Sequence, residues 1–146
     1  MKESSIHYQV AQYLKNQYPN LIFRTDFAAG IKMTMGQAKK HKSLQSGRSY
    51  PDLFIAKPKI DSGSGQFIYC GLYIELKRDD VQLIRSKDAT KITKDDYKLR
   101  KKGDWYDLHT EEQANMLGAL RKEGYCAEFA VGFNEAVKLI DNYVKR

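Results

Sequence analysis

The sequence predicts an α/β fold in which a small mixed β-sheet is flanked by helices. Two apolar runs, residues 51–58 and 67–77, are joined by a Gly/Ser-rich connection, which is typical of paired β-strands. A helical pattern precedes these runs, and a helix–strand–helix pattern follows them over residues 110–144. Because each helix has one apolar face to bury, we expect the helices to pack on the faces of the sheet.

The first third of the chain predicts a helix, a strand and a long loop. Residues 3–17 place apolar side chains at helical spacing and end shortly before a proline. Residues 21–27 are typical of a short strand. The segment 28–50 contains three glycines and no clear hydrophobic period, so we expect a long loop that includes one helical turn.

The middle of the chain predicts a β-hairpin followed by a charged insertion. The strands at 51–58 and 67–77 would pair with each other through the short connection between them. Residues 78–108 are polar and densely charged, and they contain the only tryptophan. We expect this insertion to form a lid, an arm or a partly helical segment.

The last third predicts a helix, a strand and a closing helix. Thr110 and Gln113 have the spacing of a capping box, and Gly124 is a typical helix stop after two basic residues. Residues 125–132 then predict a strand. The closing helix would begin with Asn134 as its cap and continue to residue 144.

The composition predicts a single domain, residues 1–146, with a basic loop at 30–50 and the charged insertion at 78–108. The 42% hydrophobic content is enough to bury one core of the commonest domain size. The first ten residues lack the features of a signal peptide, and no apolar stretch reaches the roughly 18 residues of a membrane helix. We therefore expect a soluble intracellular protein without membrane contact.

The charge balance favours a polyanionic partner. The formal charge is +7, and no acidic residue lies between Asp26 and Asp52. Basic domains collect nucleic acids, although charge alone leaves a merely solvated basic surface as the alternative. We predict that the loop and the insertion contact phosphates through Lys32, Lys39, Lys40, Lys42, Arg48, Arg78, Lys98, Arg100, Lys101 and Lys102.

The stretch GLYIELKR sets two charges inside an apolar strand. Side chains alternate between the faces of a strand, so Leu72, Ile74 and Leu76 share the face that packs on the core. Glu75 and Lys77 then project together from the other face, roughly 6 to 7 Å apart. At that separation both side chains can act on one substrate group.

Pairing of the two strands would bring Asp52 to the same edge as Glu75. Two carboxylates at one edge repel each other unless a cation lies between them, and Mg²⁺ prefers oxygen ligands. Asp52, Glu75 and the backbone carbonyl of Leu76 could supply them. Lys77 could orient or help deprotonate an attacking water and neutralise charge that develops on the phosphorus.

Gln113 is expected to point inward, because it shares a helix face with two leucines further along the segment. It could position a water or a phosphate near Lys77. Each residue also has an ordinary alternative. Asp52 could be a turn residue, Glu75 and Lys77 could be a charge pair that protects a strand edge, and Gln113 could only cap its helix.

Together these motifs resemble the PD-(D/E)XK nuclease superfamily, and in particular its VRR-NUC branch. The resemblance rests on PD at 51–52 and ELK at 75–77, followed by HTEEQANML and LRKEGYCAEFAVGFNEAVKLIDNYV, and it covers nearly the whole chain. It implies a PD-(D/E)XK, restriction-endonuclease-like core. The loop before Pro51 and the insertion after Lys77 are longer than in compact members of that branch.

Residue by residue, the resemblance implies metal ligation by Asp52 and Glu75, catalytic support from Lys77 and a supporting role for Gln113. The early glutamate of the family would fall on Glu3. The implied activity is that of a DNA endonuclease that depends on Mg²⁺ or Mn²⁺.

The resemblance further implies selective cutting of branched DNA, such as Holliday junctions or flaps, by a homodimer in the cytoplasm of a bacterium or a phage-infected cell. Two other functions remain open from the sequence. The chain could be a nuclease-like nucleic-acid-binding module that does not cut, or a nuclease subunit that depends on a partner for specificity.

Overall fold

The computed structural model describes residues 3–26, 34–46 and 48–145, which contain four helices and six strands. The helices are α1 (Glu3–Gln17), α2 (Met35–Ser43), α3 (Leu108–Lys122) and α4 (Phe133–Val144). The strands are β1 (Phe23–Thr25), β2 (Leu53–Ile55), β3 (Lys59–Ile60), β4 (Phe67–Tyr69), β5 (Leu72–Lys77) and β6 (Cys126–Val131).

Four of the strands form one mixed sheet in the order β1-β2-β5-β6. Strand β2 runs antiparallel to both β1 and β5, whereas β5 and β6 are parallel and are connected through α3. All six residues of the central strand β5 are buried, since helices cover both faces of the sheet. The predicted fold class, a small mixed sheet flanked by helices, is confirmed.

The main core lies between the sheet and the pair α1 and α4. Leu72, Ile74 and Leu76 of β5 are fully buried there, and they pack in one cluster with Val10 of α1 and Ile140 of α4. Burying each side chain of this size contributes about 1.5–3 kcal/mol. The alternation predicted for β5 is therefore right on its apolar face.

A smaller cluster covers the opposite face of the sheet. Tyr73 and Ala127 pack there against Leu117 of α3, and Phe54 joins them with its ring centroid 4.5 Å from that of Tyr73. The side chains of Glu75 and Lys77 leave the sheet on this same face, because they alternate with the apolar residues of β5. The α3 side of the sheet therefore carries both aromatic packing and charge.

The predicted strand at 67–77 is divided in two by Gly71. Strand β4 pairs with β3 in a separate two-stranded ribbon, and only β5 pairs with β2. A Cβ atom at Gly71 would lie 2.9 Å from Phe54 Cε1 and 3.1 Å from the carbonyl oxygen of Ile55. The predicted antiparallel pairing of the two segments was right. The prediction of one continuous strand was wrong: the strand is interrupted at Gly71, where only glycine allows this close approach to β2.

The helix boundaries differ from the sequence prediction at two N-termini. Helix α3 is capped by Asp107, whose Oδ1 accepts hydrogen bonds from the backbone N and the Oγ1 of Thr110. Thr110 therefore lies inside the first turn and donates its hydroxyl hydrogen, so the capping box predicted there is wrong. Helix α4 follows Gly132 rather than a cap at Asn134, whereas Gly124 does end α3 with a positive φ of 99°.

The basic loop contains a helix of nine residues, α2, where a single helical turn was expected. Thr34 and Gln37 form the capping box that starts it: each backbone N donates to the side chain of the other. The insertion after β5 contains no helix before α3, and its one strand-like contact joins Ile84 to Trp105. A partly helical insertion was therefore wrong. No helix in the described ranges is long and apolar enough to cross a membrane.

Candidate active site

The candidate active site lies where β2 and β5 separate. The last pair of the ladder at this end joins Leu53 to Ile74, and the same antiparallel register places Asp52 opposite Glu75. Both carboxylates are buried, with 7% of Asp52 and 3% of Glu75 exposed. Two acidic side chains from neighbouring strands thus meet in one gap, as the sequence predicted.

Side chains replace the backbone ladder across this gap. The backbone N of Asp52 donates to Glu75 Oε2 over 3.2 Å, and the backbone N of Leu76 donates to Asp52 Oδ2 over 3.1 Å. Each strand therefore holds the carboxylate of the other through a backbone donor. A carboxylate that accepts a backbone N–H bond is fixed in orientation.

Gln113 completes the contacts of Glu75 from the helix side. Its Nε2 donates a short hydrogen bond to Glu75 Oε1, and only 5% of the residue is exposed. It points inward because it lies one turn before Leu117, which is fully buried against the sheet. Its amide oxygen is buried and has no hydrogen-bond partner in the described part of the chain.

Lys77 lies two residues beyond Glu75 on the same face of β5 and is 8% exposed. The end of the strand is fixed at this point, because the backbone N of Gly132 donates to the carbonyl of Lys77 over 2.8 Å. A buried ammonium group therefore belongs to the same face as the two carboxylates. Hydrogen bonds thus bring Asp52, Glu75 and Gln113 together, whereas Lys77 is placed by its position on the same face of β5. The chemical roles of these residues stay predictions.

His7 is a site residue that the sequence interpretation missed. It projects from α1, is 7% exposed, and places its Nε2 3.6 Å from Asp52 Oδ2. The signal was present in the helical spacing, since His7 lies three and seven residues before Val10 and Leu14, which are fully buried. The side chain of Glu3, for which a site role was predicted, lies outside the described residues.

The donor set suits a hard divalent cation. Two carboxylates in one buried gap repel each other in the absence of a cation, and Mg²⁺ and Mn²⁺ prefer oxygen ligands together with water. Within residues 3–26, 34–46 and 48–145, no group of three His, Cys, Asp or Glu side chains is close enough to hold a metal on its own. The two buried carboxylates are what the structure shows, and metal ligation by Asp52, Glu75 and the carbonyl of Leu76 stays a prediction.

A cleft of about 560 Å³ opens beside Asp52. Arg24 and Tyr50 line it together with Phe54 and the three residues that follow α2. The hydroxyl of Tyr50 lies 2.6 Å from that of Tyr73, which joins the cleft wall to the aromatic cluster beneath α3. Burial and this hydrogen bond raise the pKa of Tyr73, so its hydroxyl stays neutral.

Most of the basic residues predicted to contact phosphate are accessible, although Lys32 lies outside the described residues. The lysines of α2 are exposed, and Arg48 is exposed beside Glu112 of α3 at 3.9 Å. Arg78 and Lys98 lie next to acidic residues of the insertion, which partly neutralise them. The accessible residues are Lys39, Lys40, Lys42, Arg48, Arg78, Lys101 and Lys102, whereas Lys98 is half-buried.

Arg100 contradicts its predicted role in phosphate contact. It is 3% exposed, and its guanidinium binds Asp96 through Nε and Nη2 at 2.7 and 2.8 Å. Its Nη1 also donates to Glu111 of α3 over 2.9 Å. Because both carboxylates occupy its donors, Arg100 fastens the insertion to α3, and the assignment to DNA binding was wrong.

The fold and the gap together agree with a PD-(D/E)XK-like core, in which one carboxylate directly precedes β2 while the other carboxylate and the lysine lie in β5. One solved structure, described as a VRR_NUC domain protein, matches 99% of this chain and 89% of its own length, with a TM-score of 0.60 and 21% identity. No family model and no curated protein matches the chain. The likeness shows that the chain has the fold of a VRR_NUC domain protein, as the sequence motifs predicted.

Proposed function

We propose that the chain is a nuclease that hydrolyses phosphodiester bonds in DNA with the help of Mg²⁺ or Mn²⁺. The observation that carries this proposal is the buried pair of Asp52 and Glu75, held in one gap beside Lys77 and Gln113. Burying two carboxylates side by side costs free energy, and apolar residues would stabilise this fold better. A catalytic role explains why acidic residues occupy the gap, and the VRR_NUC fold of the chain supports it.

Asp52 and Glu75 would hold the metal ion, with the carbonyl of Leu76 as a further oxygen. When bound, such an ion lowers the pKa of a coordinated water and offsets charge on a phosphate. The backbone N of Leu76 orients the carboxylate of Asp52, and Gln113 orients that of Glu75. These contacts hold both ligands in place before a substrate arrives, which avoids reorganisation during the reaction.

Lys77 would act on the reacting phosphate and the attacking water. Its position on the Glu75 face of β5 places an ammonium group in a partly desolvated site, where its electrostatic effect is stronger than in bulk water. A cation there stabilises the additional negative charge that develops on the phosphoryl oxygens. Hydrolysis joins the oxygen of a water to phosphorus, breaks one P–O bond, and transfers a proton to the leaving oxygen.

The substrate of the proposed nuclease is DNA, and we propose branched forms such as four-way junctions or flaps. The cleft beside Asp52 and the exposed lysines of α2 could carry a phosphate backbone without reading bases. A homodimer would present two such sites to the two symmetric strands of a junction. The proposed location is the cytoplasm of a bacterium or a phage-infected cell.

The test is a cleavage assay with the purified chain, residues 1–146. Linear duplex, single-stranded, flap and four-way-junction DNA, and a single-stranded RNA, are each incubated with Mg²⁺, Mn²⁺ or EDTA. We expect cleavage with a divalent ion, none with EDTA, and loss of cleavage by at least about 100-fold in Asp52→Asn and Lys77→Met. Gel filtration with light scattering on the same samples reports the oligomeric state.

Two results of this assay would contradict the proposal. If no substrate is cut with either metal while DNA is still bound, the chain is a binding module and the nuclease proposal is wrong. If cleavage is unaffected by Lys77→Met, the site assignment is wrong. Lys145→Met serves as a matched control, because this exposed lysine directly follows α4 and its ammonium group lies 4.0 Å from Asp141 Oδ2.

A further inference from the structure

The cleft beside Asp52 has aromatic walls that the proposed chemistry does not use. Phe54 lies opposite Arg24 of β1 and opposite Tyr73 of β5 in the antiparallel register, so these three side chains form a row on the α3 face of the sheet. Arg24 and Phe54 line the cleft, and Tyr50 lines it as well. Two aromatic rings and one cation therefore lie directly beside a carboxylate of the candidate active site.

The ring of Tyr50 is held in place although 43% of the residue is exposed. Its hydroxyl lies 2.6 Å from that of Tyr73, and the two rings meet edge to face with their centroids 5.5 Å apart. Tyr73 is buried, and its ring packs on those of Phe54 and Tyr125. A ring that is already fixed loses little conformational entropy when a ligand stacks on it, so Tyr50 offers a preorganised stacking surface.

The size and the charge of the cleft suit an uncharged planar group. Its volume of about 560 Å³ is typical of pockets that enclose a small organic ligand. Among the described residues, the charged side chains that line it are Arg24, Asp26 and Asp52, so these side chains give the cleft no excess of positive charge. A second phosphate would gain little there away from a metal ion, whereas a nucleobase is uncharged and can stack on aromatic rings.

We infer that the cleft takes one unpaired nucleobase of the DNA strand whose phosphate lies at Asp52, and that Tyr50 stacks on this base. The inference rests on the proposed function, because it takes DNA as the ligand and Asp52 as part of the site for the reacting phosphate. Such stacking tolerates any sequence, because every base has an aromatic face.

The inference names the class of DNA that the site prefers. A base inside a duplex must leave its stack and its pairing partner before it can enter a cleft, which costs free energy. This cost is least for a base that is already unpaired. The cleft therefore favours DNA with an unpaired nucleotide beside the bond that is cut, as at a flap or a branch.

The test measures DNA binding by fluorescence anisotropy in EDTA, so that the result does not depend on cleavage. The probe is a flap in which each of the first three unpaired nucleotides is replaced in turn by an abasic site, which keeps the phosphates and removes the base. We expect one of these replacements to weaken binding to the wild type by about 10-fold. Tyr50→Leu should bind the intact flap about 10-fold more weakly, and the abasic replacement should then have no further effect.

Two variants control for the loss of a ring elsewhere and for the loss of the hydroxyl. Tyr8→Leu removes an exposed tyrosine of α1, and it should keep the preference for the intact flap. Tyr50→Phe keeps the ring, so it should retain most of that preference. If no abasic position affects binding to the wild type, or if Tyr50→Leu weakens binding of the intact and the abasic flap equally, the inference is overturned.

Photocrosslinking tests the contact itself in the wild type. A flap that carries 5-iododeoxyuridine at the sensitive position should crosslink on irradiation to the peptide that contains Tyr50. The same nucleotide in a fully paired duplex should crosslink much less. This measurement needs no variant, so it decides the question even if Tyr50→Leu fails to fold. Crosslinking only to peptides outside the cleft would contradict the inference.

The results also separate this inference from the proposed nuclease function. A preference for the intact flap without cleavage by either metal would support the base site and overturn the nuclease proposal. Metal-dependent cleavage with equal binding of the intact and abasic flaps would leave the nuclease proposal intact and overturn the inference. A merely structural role of Tyr50 would lower the thermal stability of Tyr50→Leu and weaken its binding of both flaps alike.

Discussion

Replacing Gln113 by glutamate would test the electrostatics of the site most directly. In the wild type, the amide of Gln113 donates to Glu75 Oε1 in a buried position. Gln113→Glu keeps the shape of the side chain and replaces this donor by a second carboxylate. Gln113→Met is the matched control, since it removes the hydrogen bond without adding charge.

The expected loss of stability in Gln113→Glu follows from the charge that it places beside Glu75. Two carboxylates about 4 Å apart repel by about 4 kcal/mol at an effective dielectric constant of 20. Loss of a hydrogen bond to a charged group costs about 2 kcal/mol, and both variants share this loss. Gln113→Glu should therefore unfold with a free energy about 4 kcal/mol lower than Gln113→Met, which for a domain of this length corresponds to about 8–16 °C in Tm.

The assay is urea and thermal unfolding of both variants at neutral pH in EDTA, repeated with millimolar Mn²⁺. A cation between the carboxylates should restore part of the stability of Gln113→Glu and affect Gln113→Met less. If Gln113→Glu is as stable as Gln113→Met in EDTA, Glu75 does not face residue 113 as an ionised carboxylate, and the proposed arrangement of ligands is refuted.

Three further predictions concern the frame and the surface of the site. Arg100→Ala should lower the free energy of unfolding by about 3 kcal/mol in urea titrations, because it removes the guanidinium group that pairs with both Asp96 and Glu111. Hydrogen bonds from Arg100 lower the pKa of Asp96 to about 2, so this stabilisation is present above about pH 4 and is lost as the pH falls toward 2. Fluorescence of the single tryptophan, Trp105, should report this acid transition of the insertion in the wild type, and Arg100→Ala should lack it. Gly71→Ala should cost about 1–3 kcal/mol in the same titrations, since its Cβ would collide with β2, and a cost near zero would contradict the close approach. Replacing the three lysines of α2 with glutamine should lower the slope of log affinity for DNA against log salt by about 2–3, measured by fluorescence anisotropy, and an unchanged slope would exclude α2 from the DNA contact. These lysines are Lys39, Lys40 and Lys42.

Local patterns predicted the parts of the fold that depend on neighbours in the sequence. Alternation in β5 separated Leu76 from Glu75, and helical spacing directed Gln113 toward the sheet, because both periods follow from backbone geometry alone. Local patterns were less reliable where two nearby residues could each cap the same helix. Asp107 and Thr110 both favour helix caps, and the aspartate is the cap because the threonine hydroxyl donates to it.

Contacts between distant segments decided the remaining features. Arg100 lies in a basic segment of the kind that often contacts DNA. Only the fold shows that its guanidinium group is paired with Asp96 and Glu111. His7 lies 45 positions before Asp52 in the sequence. The residues next to His7 in the sequence give no sign that it contacts this carboxylate. A charged or polar residue can be solvated, paired or functional, and the choice depends on which segments surround it.

The sequence by itself identified four members of the candidate site and the faces on which they lie. Asp52, Glu75, Lys77 and Gln113 followed from motif order and from the periods of strand and helix, which are local properties. The tertiary structure decided how these groups bind one another, which basic side chains remain accessible, and that His7 reaches the same gap from the opposite side of the sheet. The burial and pairing of a side chain depend on packing between distant segments, and the residue pattern within one segment does not determine that packing.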